Sequence, residues 1–305
     1  VEFLRAHVRQ GMRKQGGVLG ISGGIDSSVV LALCVRAFGP ERVIPLMLPE
    51  KDSDPESVQL AERLSALYGV KPVLEIITPV LDGFGCYERR DEAIQRVIPE
   101  YQPGYAMKIV LPTNLLEKQT LNFFRVVVTA PDGTEHSKRL PLSEYMTIVA
   151  ASNFKQRSRM AMLYYHAELR NYAVIGTPNK NEHDQGFFVK YGDGAGDVMP
   201  IGNLYKTQVY QLAEYLGVPK GIIERTPTTD TYSAEQTQEE FFYQLPFHLM
   251  DRFWCGFENG YPPSEVAEIM GETTERVEAL FRNFERKQNT TEYLRMPPIR
   301  DYYQG

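Results

Sequence analysis

The stretch Val18-Leu-Gly-Ile-Ser-Gly-Gly-Ile-Asp-Ser-Ser-Val-Val30 constrains this chain more than any other. Val18 to Ile21 are apolar and partly β-branched, which suits a buried strand. Ser22-Gly-Gly24 follows, a turn in which two residues lack Cβ, so the backbone can take positive φ and approach a ligand closely. Asp26, Ser27 and Ser28 then open an apolar segment running to Phe38, with cap-type residues where a helix start wants them. A glycine turn feeding a helix N-terminus aims backbone N–H groups and the positive end of the helix dipole at one point, which favours a phosphate. A carboxylate at that mouth, Asp26, is placed to hold Mg²⁺ against phosphate oxygens. No Gly-Lys-Ser/Thr follows, and the spacing is not Gly-x-Gly-x-x-Gly, so neither common nucleotide loop is read here.

The segments after this loop keep the same rhythm. Residues 1–16 read as a helix ending near Gly16-Gly17. Val43 to Leu48 gives a second buried strand, although Pro45 argues against a central place for it. Asp52 to Ser57 caps a helix with Val58, Leu60, Ala61, Leu64 and Leu67 at helical spacing, and Val73 to Ile77 gives a third strand. Strand and helix alternating in this way imply an α/β fold: a Rossmann-like, doubly wound parallel sheet, with ligands beyond the carboxyl ends of its strands. Residues 83–147 break the rhythm: a helix over Glu88–Ile98, a passage rich in loops around Pro99, Pro103-Gly104 and Pro112, and a β-hairpin around Pro131-Asp-Gly133. This is read as an insertion projecting from the core, either shaping substrate or partner contact or serving as a structural flap. The α/β pattern returns with a helix over 153–170, a strand over Tyr172–Ile175 and a helix over 205–216. Helices over Glu239–Gly256, Ser264–Met270 and Thr274–Lys287 complete a helical C-terminal part from about 239 to 305. The whole, 1–305, is read as one domain.

Composition narrows the functional classes. A net charge of −6 argues against nucleic acid as the main partner. No run of apolar residues is long enough to span a membrane, and the N-terminal residues lack a signal-peptide pattern. Residue 1 is Val, so part of a native N-terminus is expected to precede it. Cys34, Cys86 and Cys255 form no C-x-x-C pair and no zinc spacing, which fits a reducing cytoplasm and weighs against sulfur-transfer chemistry.

The second half carries further polar motifs. Asn153-Phe-Lys-Gln-Arg157-Ser-Arg159 sets Asn153, Lys155, Arg157 and Arg159 on neighbouring helix faces, a pattern that by itself also describes a solvated basic face. Gly176-Thr-Pro-Asn-Lys-Asn-Glu182 follows directly on a strand, so Thr177 and Glu182 lie at a carboxyl edge, where Glu182 can complete a metal site with Asp26. Lys190-Tyr-Gly-Asp193-Gly-Ala-Gly-Asp197 is too polar for a core. Lys206 opens a helix, and Pro227-Thr228-Thr-Asp230 ends the set.

Ser22 to Ser27 resembles the pyrophosphate loop of the ATP pyrophosphatases, which cleave ATP to AMP and pyrophosphate. With the N-x-K-x-R-x-R helix, G-T-x-x-x-x-E, K-Y-G-D-G-x-x-D, L-x-K and P-T-x-D, all in order from residue 20 to 230, the chain is similar to the ammonia-dependent NAD⁺ synthetase family. The resemblance implies ATP binding by Gly20, Ile21, Ser22, Gly23, Gly24, Ile25, Asp26, Ser27, Thr177, Lys206 and Thr228. It implies Mg²⁺ on Asp26 and Glu182, with Asp26, Glu182 and Lys206 as the catalytic set. It implies deamido-NAD⁺ contacts from Asn153, Arg157, Tyr164, Lys190 and Asp197, a homodimer, and amidation by ammonia through an acyl-adenylate. The 305 residues leave no room for a glutaminase domain, so glutamine use would call for a separate partner.

Two departures stand out. The family's C-terminal lid commonly carries His-Lys-Arg before a proline, whereas Thr291-Glu-Tyr-Leu-Arg295-Met-Pro-Pro298 keeps only the arginine and the prolines. An Asp-Glu pair after P-T-x-D reads Glu239-Glu240. Two other readings therefore stand beside the first: a paralogue that adenylates and amidates a different carboxylic acid, and a catalytically silent nucleotide-binding module.

Overall fold

The computed structural model describes residues 1–110, 124–228, 232–234, 237–238, 242–243 and 245–300. The chain opens with α1 (Glu2–Leu4), which continues as π-helical turns over Arg5–Gly11. Then β1 (Gly17–Gly20), α2 (Ile25–Phe38), β2 (Val43–Met47), α3 (Pro55–Leu67) and β3 (Val73–Leu74) alternate. After them α4 (Thr78–Gly83) and α5 (Cys86–Val97) lead into β4 (Ala106–Val110), β5 (Arg125–Thr129) and β6 (Glu135–Arg139). Next come α6 (Leu142–Arg170), β7 (Ala173–Val174), α7 (Lys180–Gln185), α8 (Lys206–Leu216) and α9 (Lys220–Ile223). The C-terminal part holds α10 (Phe247–Glu258), α11 (Pro263–Met270) and α12 (Thr274–Arg295).

The main sheet runs β3-β2-β1-β7, all parallel. β1 is central and apolar along its length, as a strand covered on both faces must be. On one face, Val29, Val30 and Ala37 of α2 pack with Val209, Ala213 and Leu216 of α8 and Ala61 and Leu64 of α3. On the other, Met160, Leu163 and Ala167 of α6 pack with Leu81 of α4 and Tyr87 of α5. Burying a side chain such as Leu31 or Leu19 contributes about 1.5–3 kcal/mol, enough to hold strands this short between two helical layers. The doubly wound α/β architecture expected from the sequence is the one observed.

The insertion is more ordered than a bare hairpin. β4 pairs antiparallel with β5, and β5 with β6, around the turn at Pro131-Asp-Gly133. Met107, Ile109, Val126 and Val128 of this small sheet pack against Ala93 and Ile94 of α5 and Ile148 of α6. The C-terminal helices have their own core, built on Trp254, Phe253, Leu280 and Phe284.

Several boundaries differ from the sequence reading. The first helix ends at Gly11, because Arg13 takes a φ of 56° that turns the chain toward β1. α2 is capped by the backbone of Gly24, and the hydroxyls of Ser27 and Ser28 bond back to the Gly24 carbonyl within the first turn. Pro45 does lie in a central strand, but β3 pairs only with Leu46 and Met47, beyond the proline. α6 starts at Leu142, eleven residues before position 153, because its first turns rest on the inserted sheet. α10 starts at Phe247, after the helix-initiating Pro246. α12 runs on to Arg295. Pro112, Asp230, the Glu239-Glu240 pair and the proposed helix start at Glu239 lie outside the described residues. No helix among the described residues is long and apolar enough to cross a membrane.

Candidate active site

The carboxyl ends of β1, β2 and β7 open into a cleft of about 1170 Å³, walled by the loop after β1, by α6, by the segments after β7 and by α12. The loop owes its shape to a glycine and three serines. Gly23 has a φ of +75°, and a Cβ there would stand 2.8 Å from the Leu60 Cβ, so no other residue fits without moving α3. The Gly24 N–H donates to the Ser22 hydroxyl at 3.3 Å. The hydroxyls of Ser27 and Ser28 donate to the Gly24 carbonyl at 3.0 and 2.7 Å. The first helical bond of α2 is Ser28 N–H to the Gly24 carbonyl, which leaves the preceding N–H groups at the cleft mouth.

Three elements bring the expected set of Asp26, Glu182 and Lys206 together here. Asp26 leaves the first turn of α2, and its Oδ2 meets Lys206 Nζ at 2.5 Å. Its Oδ1 accepts from Asn179 Nδ2 at 3.1 Å. Lys206 opens α8 and is fully buried. Burial works against its charge, but the carboxylates of Asp26 and Glu182 outweigh it and hold the lysine above its usual range. Glu182 is fixed by a capping box on α7. Its N–H donates to Asn179 Oδ1 at 3.1 Å, and the Asn179 N–H donates to Glu182 Oε2 at 3.0 Å. Burial, followed by the negative charge of Asp26, pushes Glu182 up to about 8. Asn179 thus touches both carboxylates, although positions 26 and 182 are far apart along the chain. Among the described residues no group of three or more His, Cys, Asp and Glu side chains gathers as a metal cage.

The remaining expected residues divide. Gly20, Ile21, Ser22, Gly24, Ile25, Ser27, Thr177 and Thr228 line the cleft, as do Asn153, Arg157 and Lys190. Arg157 Nε donates to the Lys190 carbonyl at 3.1 Å, and Lys190 Nζ donates to the carbonyls of Tyr293 and Met296 at 2.7 and 2.8 Å, at the end of α12. Tyr164 and Asp197 are not on the cleft wall. The Tyr164 hydroxyl donates to Asp197 Oδ1 at 3.3 Å, and the Val174 N–H donates to Asp197 Oδ2 at 2.8 Å. Lys155 and Arg159 are not a solvated basic face. Lys155 is buried on Glu50 and Asp52 at 2.9 and 2.7 Å, and Arg159 donates to the Leu48 carbonyl at 3.1 Å. The sequence reading gave no role to Asn179, although Asn-x-x-Glu is a capping-box spacing, nor to Lys287, for which no local motif exists.

A parallel α/β sheet with a glycine loop at a helix N-terminus and two carboxylates and a lysine at its carboxyl edge has the architecture of a nucleotide-binding α/β protein. The chain belongs to the NAD synthase family, whose model matches residues 1–96 and 112–296. It is 50% identical over 298 residues to an NH(3)-dependent NAD(+) synthetase of Rhizobium meliloti (strain 1021), covering 98% of this chain and 89% of that one. It is 48% identical over 299 residues to the protein of the same name from Mesorhizobium japonicum, covering 98% and 93%. Among solved structures, an NMN synthetase from Francisella tularensis matches with a TM-score of 0.66 at 24% identity, over 99% of this chain and 95% of that one. The NH3-dependent NAD synthetase of Campylobacter jejuni matches with a TM-score of 0.62 at 24% identity, over 98% and 95%. At that identity the two structures speak for the fold alone.

Proposed function

We propose that this chain joins ammonia to deamido-NAD⁺, making NAD⁺ while ATP is cleaved to AMP and pyrophosphate. Membership of the NAD synthase family supports this reading, together with relatives of nearly full length that carry the same activity in their names. The observation that carries it is the meeting of Asp26, Glu182 and Lys206 at the mouth of the glycine loop.

The nicotinate carboxylate displaces pyrophosphate from the α-phosphorus of ATP and forms an acyl-adenylate. As pyrophosphate departs, charge builds on the phosphate oxygens, and the N–H groups of the loop and Lys206 take it up, so the catalysis is electrostatic. Lys206 is held by Asp26 until phosphate oxygens compete for it. Asp26 and Glu182 fit Mg²⁺: the donor set is two carboxylates without thiolate or imidazole, and Glu182 is held toward its protonated form by burial and then by the like charge of Asp26, which a cation would relieve. Bound there, Mg²⁺ would supply positive charge to the departing phosphate oxygens. Thr177 and Thr228 serve the nucleotide. Asn153, Arg157 and Lys190 serve the dinucleotide inside the cleft, and Tyr164 and Asp197 the part of it that runs beyond the wall. Ammonia finally displaces AMP.

On this reading 1–305 is a single catalytic domain, and the insertion of about 83–147 shapes the cleft through Ile109, Phe124 and Tyr145. The working form is a homodimer in the cytoplasm, using free ammonia or ammonia from a separate glutaminase.

The deciding experiment incubates the protein with ATP, Mg²⁺, ammonium and deamido-NAD⁺ and follows AMP and NAD⁺. AMP formed only with a different carboxylic acid rejects the substrate. Asp26→Ala lowers pyrophosphate release by at least ~10²-fold; release at the wild-type rate would remove Asp26 from the metal and phosphate chemistry.

A further inference from the structure

Lys287 is a cleft-lining lysine to which the chemistry above gives no task. Asn283 and Lys287 stand at i, i+4 on α12 and both line the cleft. The helix is held over α7, which carries Glu182: Arg295 Nη1 donates to the His183 carbonyl at 3.2 Å, and Lys190 bonds the carbonyls of Tyr293 and Met296.

No carboxylate among the described residues pairs with Lys287. Its Nζ donates to the Phe242 carbonyl at 2.9 Å and lies 4.3 Å from the centroid of the Phe242 ring. Among the described residues, the acidic groups of α7, α10 and α11 are engaged elsewhere or exposed. Asp184 and Glu258 both hold Lys180, His183 bonds Asp184, and Asp251 accepts from Asn181. Glu182 accepts from the Asn179 N–H, and Glu265 and Glu268 of α11 face solvent. Desolvation brings Lys287 down to about 7, so its free-base form is abundant near neutrality.

An independent observation concerns acceptors. Asn283 Oδ1 and Gln238 Oε1 belong to cleft-lining residues, are buried, and meet no hydrogen-bond donor among the described residues. The other end of the Gln238 amide reaches Glu182 Oε1 at 3.5 Å. Buried acceptors of this kind suit a small cation that brings N–H groups in several directions.

We propose that Lys287 is the proton acceptor for the incoming ammonium ion, which Asn283 Oδ1 and Gln238 Oε1 hold by its N–H groups. This deepens the amidation reading and rests on it. The Lys287 lone pair takes one proton, and the electrons of the broken N–H bond become the lone pair of ammonia. That lone pair forms the bond to the acyl carbon, the acyl–oxygen bond to phosphate breaks, and AMP leaves with its electron pair. A second proton passes from the new nitrogen to solvent. The base is needed because ammonium, the prevailing form near neutrality, has no lone pair to attack with.

The test separates the two half-reactions. In Lys287→Met, ATP–pyrophosphate exchange dependent on deamido-NAD⁺ stays close to the wild-type rate, while amidation by ammonium near neutral pH falls at least ~10²-fold. Hydroxylamine, already uncharged near neutral pH, restores product formation in the variant, and raising the pH narrows the deficit with ammonium. Lys287→Arg keeps charge and reach but cannot accept a proton, so it behaves like the methionine variant and decides the matter if that variant does not fold. Equal losses in both half-reactions, rescue by arginine, or no advantage for hydroxylamine would overturn the assignment. Wild-type protein that shows no exchange with deamido-NAD⁺ at all would instead sink the underlying amidation reading.

Discussion

Single residues show how far charge decides this molecule. Glu50, Asp52, Lys155 and Arg90 form an ion network at the end of β2, and the Tyr87 hydroxyl donates to Glu50 Oε2 at 2.6 Å. Burial works against the charge of Asp52, but Lys155 and Arg90 outweigh it and keep the carboxyl below its usual range. Removing one member strands the others. Lys155→Met leaves the Glu50 carboxylate buried without its cation and costs about 3–5 kcal/mol, read as a lower urea midpoint. Adding Glu50→Gln returns part of the loss. Lys287 behaves in the opposite sense. Its pKa falls from the ordinary 10.5 to about 7, so the fold disfavours its charged form. That penalty is absent above pH 10.5, where both states are neutral, and grows as pH falls toward 7. Lys287→Met therefore raises the urea midpoint near neutral pH, and the gain fades as pH approaches the ordinary lysine value. A cation kept at a cost in stability is what a functional site contains. Asp26 and Glu182 were legible in the sequence because each opens a helix in the first turn after a strand and its loop, and strand ends converge in a parallel sheet. Lys155 was not, because an i, i+4 basic pattern says nothing about acids a hundred residues away.

Elements carry the link between cleft and lid. α7 ends at Gly186, whose φ of +77° caps the helix, and a Cβ there would lie 2.3 Å from the Thr291 Cβ on α12. Gly186→Ala must both strain the cap and push α12 outward. The expected result is a loss of about 1 kcal/mol or more in urea unfolding. A higher KM for the dinucleotide than for ATP goes with it, because Lys190 is tied to the end of α12. An unchanged KM would mean that α12 is not a substrate wall. Long, regular elements such as α2 and α3 were readable from their apolar spacing. α6 was cut short in the sequence reading because Leu142 and Met146 are exposed while Ile148 and Ala151 are buried, so its first turns show no clean apolar stripe. β4 escaped notice because its apolar residues find their partners in β5, α5 and α6 rather than along the local sequence.

At the scale of the whole molecule, a group of apolar side chains stands exposed around the edge of the main sheet. Ile76 follows the edge strand β3, Val80 and Phe84 project from α4, and Tyr165 and Leu169 from the C-terminal half of α6, all of them exposed. The elements are joined beneath: α4 packs on α6, with the Phe84 ring 5.0 Å from Phe154, and the His166 ring bonds Glu75 at 2.9 Å. Side chains of this size on one surface mark an association site. A second copy is the occupant this reading requires, since a two-fold contact buries the same patch on both chains. A stable dimer needs about 1,200–2,000 Å² of total buried surface, so a charge placed at its centre should suffice to part the subunits. Leu169→Arg, exposed in the single chain and so harmless to its fold, is expected to shift sedimentation from dimer to monomer at micromolar protein. If the dinucleotide reaches across this contact, the monomeric variant keeps its affinity for ATP and loses affinity for deamido-NAD⁺, because the residues proposed to bind ATP are all drawn from the one chain. A variant that stays dimeric removes this face from the assembly, and one that turns monomeric with both affinities intact confines the dinucleotide to a single cleft.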